Sequence, residues 1–310
     1  MTVAERINAE RVVLAGWSRA ILLQLAHPLV AQGVADHSSF VNAERWPRRS
    51  SDVKTGRTPH AEGNGARPAK AAGTLFSAAV RLHHTVQAMR HLTFGDAASA
   101  RAALEGIKAI HRRVNGTLVE AVGRYPAGTR YSAEDAPLVL WVHATLMDSL
   151  PLVYAAIVAP LTDADRDAWC RESAPVARAL GAGDDVPETW AALQAYMTAT
   201  LSSGQIEVGP TARMLAQDVL APRYSSLVSP LRAMNRTVTV GLLPPAIRTQ
   251  YGFDWHARDD ATLARTIRLL RSVRYVTPAA LAHWPDARKG KRDNEEGKRA
   301  QQSEKGQGPQ

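Results

Sequence analysis

The chain has 310 residues, 45% of them hydrophobic, a formal net charge of +9 and one cysteine, Cys170. That is enough apolar material to bury the core of one large domain or two modest ones and it excludes a disordered polypeptide. A lone cysteine excludes an internal disulfide framework and the Cys-rich zinc modules, so a reducing compartment and a cytoplasmic location are expected, with Cys170 a packed small hydrophobe.

Glu5, Arg6, Glu10, Arg11 and Arg19 are spread through the first twenty residues, so no charged-then-apolar secretory pattern is expected there. Residues 3–26 carry helix formers and a wide apolar face that includes Ile7, Val13, Ile21, Leu22 and Leu25. His27-Pro28 ends or kinks that helix, because a residue before proline avoids the α region. The following LVAQGVADHSSF reads as a short helix broken near Gly33, with Asp36-His37-Ser38 as a polar cluster. Residues 47–72 are rich in Pro, Gly, Ser and Arg and hold six basic against two acidic side chains, a flexible insert. The tail, 286–310, has seven basic against five acidic residues. These two segments hold +6 of the +9, leaving about +3 for the folded body, so no nucleic-acid partner is expected. A basic loop is compatible with peripheral contact to acidic lipid, but a solvated linker and tail is the simpler reading.

Helical periodicity resumes over 73–93, and Arg81–Thr93 with Ala97–Val114 reads as a helical hairpin turning at Phe94-Gly95-Asp96. Four of the ten histidines fall in this stretch: His83, His84, His91 and His111. Arg81, His84, Thr85 and His91 lie close to one face of the first arm. His111 shares a face with Leu104, Ile107 and Val114, where an unpaired imidazole costs free energy unless it finds a hydrogen-bond partner, a metal or a cofactor. Gly116 and Tyr125-Pro126-Ala127-Gly128 then interrupt the pattern. Ser132-Ala133-Glu134-Asp135 reads as a cap that launches a helix through Trp141-Val142-His143-Ala144-Thr145 toward Ala159. Its apolar stretch, Pro137–Leu161, is long enough to span a bilayer, but His143, Asp148 and Pro151 favour a helix buried in protein. Further helices are expected over 163–180, 187–201, 211–220, 227–240 and 257–273. Thr237-Val238-Thr239-Val240 is the lone strand candidate. The expected architecture is all-α, a single globular multi-helix domain. It is formed by residues 1–46 and 73–285, with the insert 47–72 between them and a disordered charged tail 286–310.

No P-loop, GxGxxG, GxSxG or HExxH pattern carries a mechanism here, which leaves histidine chemistry. Neutral imidazoles facing into an all-helical chain suit iron and haem. A non-haem metal enzyme using some of His84, His91, His111 and His143 is an alternative, as is a non-catalytic haem sensor or carrier. His60, His256 and His283 read as ordinary core or surface residues, and His27 and His37 as structural or supporting ones.

Five phrases occur in order: Gln24-Leu25-Ala26-His27-Pro28 with Gly33 to Phe40, Arg81-Leu82-His83-His84-Thr85, Ile110 to Gly116, Gly128 to Tyr131 with Ala133 and Asp135, and Trp141 to Thr145. Together they resemble the MpaB-type and rubber oxygenase catalytic-domain family over most of 15–285. The resemblance implies a globin-like helical core that binds one b-type haem and uses dioxygen on isoprenoid double bonds. In the latex-clearing members an H-x-x-V-R-like phrase supplies the proximal iron ligand, and the matching residue is His111. Their distal R-x-x-K-T phrase matches Arg81, His84 and Thr85, with the lysine replaced by His84. His84 is therefore a possible distal ligand, a hydrogen-bond donor or a pocket wall. On this reading Arg81 supplies fixed charge and donors for negative charge developing on oxygen, while His84 and Thr85 orient it. Apolar walls, Met89 and Met147 included, would suit a small apolar substrate. His143, on the driest helix, is the competing proximal ligand.

Overall fold

The computed structural model describes residues 1–37, 86–220 and 229–287. Arg81, His84, Thr85, the basic insert and nearly all of the tail lie outside them. The described chain is helical apart from one short ladder.

Val3–Ala9 (α1) opens on a capping box: Glu5 N–H donates to Thr2 Oγ1 and Thr2 N–H to the Glu5 carboxylate. The single helix expected over 3–26 stops at Glu10, whose backbone is extended. The reason is the buried Glu10 carboxylate. Arg274 Nε donates to its Oε2 at 2.7 Å, and His283 Nε2 lies 2.9 Å from its Oε1. A buried carboxylate must be paired, and leaving the helix here delivers it to the C-terminal segment. After a 3₁₀ turn, Leu14–Leu25 (α2) leads into Pro28–His37 (α3) with a bend of 108°. α3 runs through Gly33 unbroken. A Cβ on Gly33 would come within 3.3 Å of the Tyr131 ring, so the residue serves packing, not a break.

Residues 86–94 are helical (α4), and Ala97–His111 (α5) follows, with Asp96 capping Ser99 N–H at 2.8 Å. α4 is tied to both ends of the described chain: Asn8 Nδ2 donates to Thr93 Oγ1 at 3.2 Å and Arg90 Nε to Asp286 at 2.7 Å. Arg11 and Arg90 both lie over the Trp284 ring.

The core is built on Ala136–Ile157 (α6), the long apolar helix, with 67% of its most apolar window buried in protein. α2 packs closely on it because a Cβ at Gly16 would stand only 3.0 Å from the Ser149 carbonyl. Pro151 inside α6 cannot donate to the Met147 carbonyl. The indole of Trp169, from Asp163–Ala179 (α7), takes that acceptor at 3.0 Å. Trp190–Ser202 (α8), Pro210–Leu220 (α9), Ser229–Gly241 (α10), Pro245–Tyr251 (α11), Ala257–Val276 (α12) and Ala279–Ala282 (α13) complete the described chain. Arg19 of α2, 4% exposed, donates to Ser149 Oγ at 2.6 Å and the Leu242 carbonyl at 2.7 Å, and pairs with Asp148 at 2.7 Å.

Two strand expectations are corrected. Thr237-Val238-Thr239-Val240 belongs to α10, where Val238, Thr239 and Val240 are buried, so packing overrides the β-branched preference. Asn115–Thr117 (β1) and Arg130–Ser132 (β2) instead form an antiparallel ladder, with Gly116 opposite Tyr131.

Candidate functional site

His111 is the last residue of α5, three residues short of the expected helix end at Val114. It continues the half-buried stripe of Leu104 and Ile107, on a helix that buries no residue fully. Burial lowers the pKa of its imidazole, an effect partly offset by the Glu134 carboxylate. Neither ring nitrogen of the half-buried His111 has a hydrogen-bond partner among the described residues.

The chain leaving His111 is fixed by a clamp that the sequence phrases assemble. Val114 N–H donates to the His111 carbonyl at 3.0 Å and Ala133 N–H to the Val114 carbonyl at 2.8 Å. Beyond them, His37 Nε2 lies 3.0 Å from the Asn115 carbonyl. The Tyr131 hydroxyl donates to Asp36 Oδ2, Gln32 Nε2 donates to Asp36 Oδ1 at 3.1 Å, and Val119 N–H donates to Gln32 Oε1 at 3.4 Å. Gly116 lets the buried Tyr131 lie flat across the ladder, since a Cβ there would be 2.6 Å from the hydroxyl. The polar cluster at Asp36-His37 and the glycines at 33 and 116 thus position the backbone around His111.

His143 lies elsewhere. It falls one turn from Val139 and from Met147 on α6. Val139 clusters there with Ala174 and Ala177. Its Nε2 is buried without a hydrogen-bond partner, and burial pushes its pKa down to about 4. No described hydrogen bond or ring contact joins His143 to His111. His91 is exposed on α4. Among the described residues no group of three or more His, Cys, Asp or Glu side chains could hold a metal ion.

His27 is a site that the sequence reading placed in a supporting role. It is 3% exposed, and burial pushes its pKa down to about 4. Leu29 N–H donates to Nδ1 at 3.3 Å, so the ring proton sits on Nε2, 3.2 Å from the Tyr125 hydroxyl. Both nitrogens are engaged, which makes His27 a wall residue, not a ligand in waiting. It faces a half-open cavity of about 490 Å³ that is also walled by Pro137, Leu140, Trp141, Tyr196 and Thr200. Neither His111 nor His143 lines it. Tyr125 was legible in the sequence only as part of a break, and nothing in the one-dimensional pattern pairs it with His27.

The described chain is thus a helical domain built on one buried apolar helix, with a half-buried imidazole at the end of a second. Residues 5–52 and 61–272 match the family model described as ER-bound oxygenase mpaB/B'/Rubber oxygenase, catalytic domain, and the chain belongs to that family. The gap between the two matched stretches, 53–60, falls inside the basic insert. No curated protein and no solved structure matches the chain.

Proposed function

We propose that the protein is a haem b-dependent oxygenase that uses dioxygen on a small apolar, unsaturated, isoprenoid-like molecule, with oxidative cleavage of a carbon–carbon double bond as the chemistry it fits best. Membership of an oxygenase catalytic-domain family supports the reaction class. The observation that carries the cofactor reading is His111: an imidazole held neutral by burial, with no described partner on either nitrogen. A globin-like arrangement of the core goes with that reading.

In this account His111 would hold the iron of a bound haem, which would supply the electron exchange with dioxygen. Arg81 contributes a permanent charge and several donors where negative charge builds on reduced oxygen. His84 and Thr85 would orient the reacting molecule, and His84, standing where the latex-clearing members have a lysine, would be a second residue able to hold the iron. Met89 and Met147, both buried, suit apolar walls that keep water from reactive oxygen species. His143 is the alternative proximal ligand.

The test is spectroscopic. The full chain reconstituted with haem is expected to show a Soret band with stoichiometric iron, lost in His111→Ala and kept in His143→Ala. The reverse pattern moves the ligand to His143, and no haem retention by the wild type refutes the proposal. Oxygen uptake and product analysis against terpenoid and unsaturated lipid substrates then read the substrate class.

A further inference from the structure

The C-terminal half of α12 presents an apolar stripe to solvent. Leu269, Val273 and Val276 fall at i, i+4 and i+7, on one face, and are 53%, 50% and 74% exposed. Tyr275, 89% exposed, flanks the stripe, and Leu281 on α13 is 65% exposed just beyond it. Scattered exposed apolar residues need no explanation, but a stripe at helical spacing continuing onto the next element does.

The charge around this stripe has one sign. Residues 261–276 contain four arginines and no acid. Arg274 is spent on Glu10, and Arg271 donates to the Ala156 carbonyl at 2.7 Å. Arg265 and Arg268 are exposed on the edge of the stripe and have no ion pair among the described residues. The acids that open the helix are engaged: Asp259 accepts from His256 N–H, and Asp260 from the Trp255 indole. An exposed apolar strip bordered by unpaired arginines, with an aromatic ring beside it, is complementary to a surface that is greasy below and negatively charged above.

We propose that this face of α12, Arg265, Arg268, Leu269, Val273, Tyr275 and Val276, docks the protein on the surface of an anionic lipid bilayer. The helix lies in the interface plane, its aliphatic side chains enter the headgroup–acyl boundary, and Arg265 and Arg268 meet lipid phosphates. This docking does not depend on haem binding or on the oxygenase reading.

The experiment is co-sedimentation of the full chain with phosphatidylcholine vesicles and with phosphatidylcholine–phosphatidylglycerol vesicles, at low and at physiological salt. Binding is expected on the anionic vesicles, weakening as salt rises. Arg265→Gln with Arg268→Gln should lower the partition coefficient about thirtyfold, since each basic residue near such a surface contributes about 1 kcal/mol. Leu269→Ser with Val273→Ser should lower it about tenfold or more on the same vesicles. Far-UV circular dichroism should be unchanged in both pairs, because the altered side chains are exposed. Equal binding to neutral vesicles, or to neither, overturns the proposal. Anionic binding that survives both pairs assigns the lipid contact to another part of the chain and also overturns it. So does a dimer, read by light scattering, that falls apart in the serine pair, since the stripe is then a contact between copies.

Discussion

The clamp beside His111 makes a quantitative prediction. Tyr131→Phe deletes a hydroxyl that donates to the Asp36 carboxylate, and a hydrogen bond to an ionised group contributes about 2 kcal/mol. Gly116→Ala places a methyl 2.6 Å from that hydroxyl, 2.9 Å from Cζ and 3.1 Å from Cε1 of the same ring. Gly116 is not among the glycines at positive φ, so the cost is steric, about 2 kcal/mol for a forced shift of a packed ring, less about 0.5 kcal/mol from the stiffer unfolded chain. The two changes act on one contact. Displacing the ring already breaks its bond to Asp36, and removing the hydroxyl relieves the closest clash. The double variant should therefore be destabilised by about 2 kcal/mol, where independent effects would give about 3.5. Urea unfolding at constant m measures all four corners of the cycle. Additivity within about 0.5 kcal/mol would refute the idea that Gly116 exists to admit Tyr131.

Three further outcomes follow from buried polar groups. Arg19→Met leaves Asp148 with Gln194 Nε2 at 2.8 Å as its remaining described side-chain partner, and should cost about 3–5 kcal/mol in urea unfolding; adding Asp148→Leu should recover much of it. Trp169→Phe strands the Met147 carbonyl, which Pro151 cannot serve, and should cost about 2 kcal/mol beyond any packing loss; Pro151→Ala should rescue the Trp169→Phe variant more than it helps the wild type. His27 and His143 fall from an ordinary 6.5 to about 4 in the folded state, so the unfolded chain binds more protons between those values. Stability is then complete above pH 6.5 and lost as pH falls toward 4, by about 2 kcal/mol per histidine by pH 5. His143→Leu should flatten that slope; an unchanged slope would mean that its ring is not dry.

The helices were legible because their signals are local. The His27-Pro28 bend and the long apolar run of α6 sit within a few residues of what they specify. The interruption at Glu10 was not legible, since its cause is a pairing with Arg274, on the far side of the sequence. The same holds for the ladder. Asn115–Thr117 and Arg130–Ser132 have no alternation of their own, and what selects their register is Tyr131 reaching Asp36 across Gly116. Conversely the β-branched run 237–240 advertises a strand, and burial makes it helix. Of the site, His111 and His143 were both visible as imidazoles on apolar faces, and only the resemblance ranked them. Arg81, His84 and Thr85 fall outside the described residues, so the distal half of the site stands on the sequence alone.

The surroundings of the described histidines bear on that ranking. His27, His37 and His283 each have a ring nitrogen within hydrogen-bond distance of a fixed partner: Tyr125, the Asn115 carbonyl and Glu10. His111 and His143 are the two with both a depressed pKa and no described hydrogen bond. Dryness alone would favour His143, whose pKa is driven down to about 4. On α6, Val139, one turn before His143, is packed on Ala174 and Ala177, and the Met147 carbonyl, one turn after it, is bonded to Trp169. α5 buries no residue fully, and His111 sits where that helix stops and a clamped backbone begins. The two therefore differ in what holds them, a clamped backbone at His111 and a packed helix at His143, and it is family position that ranks His111 first.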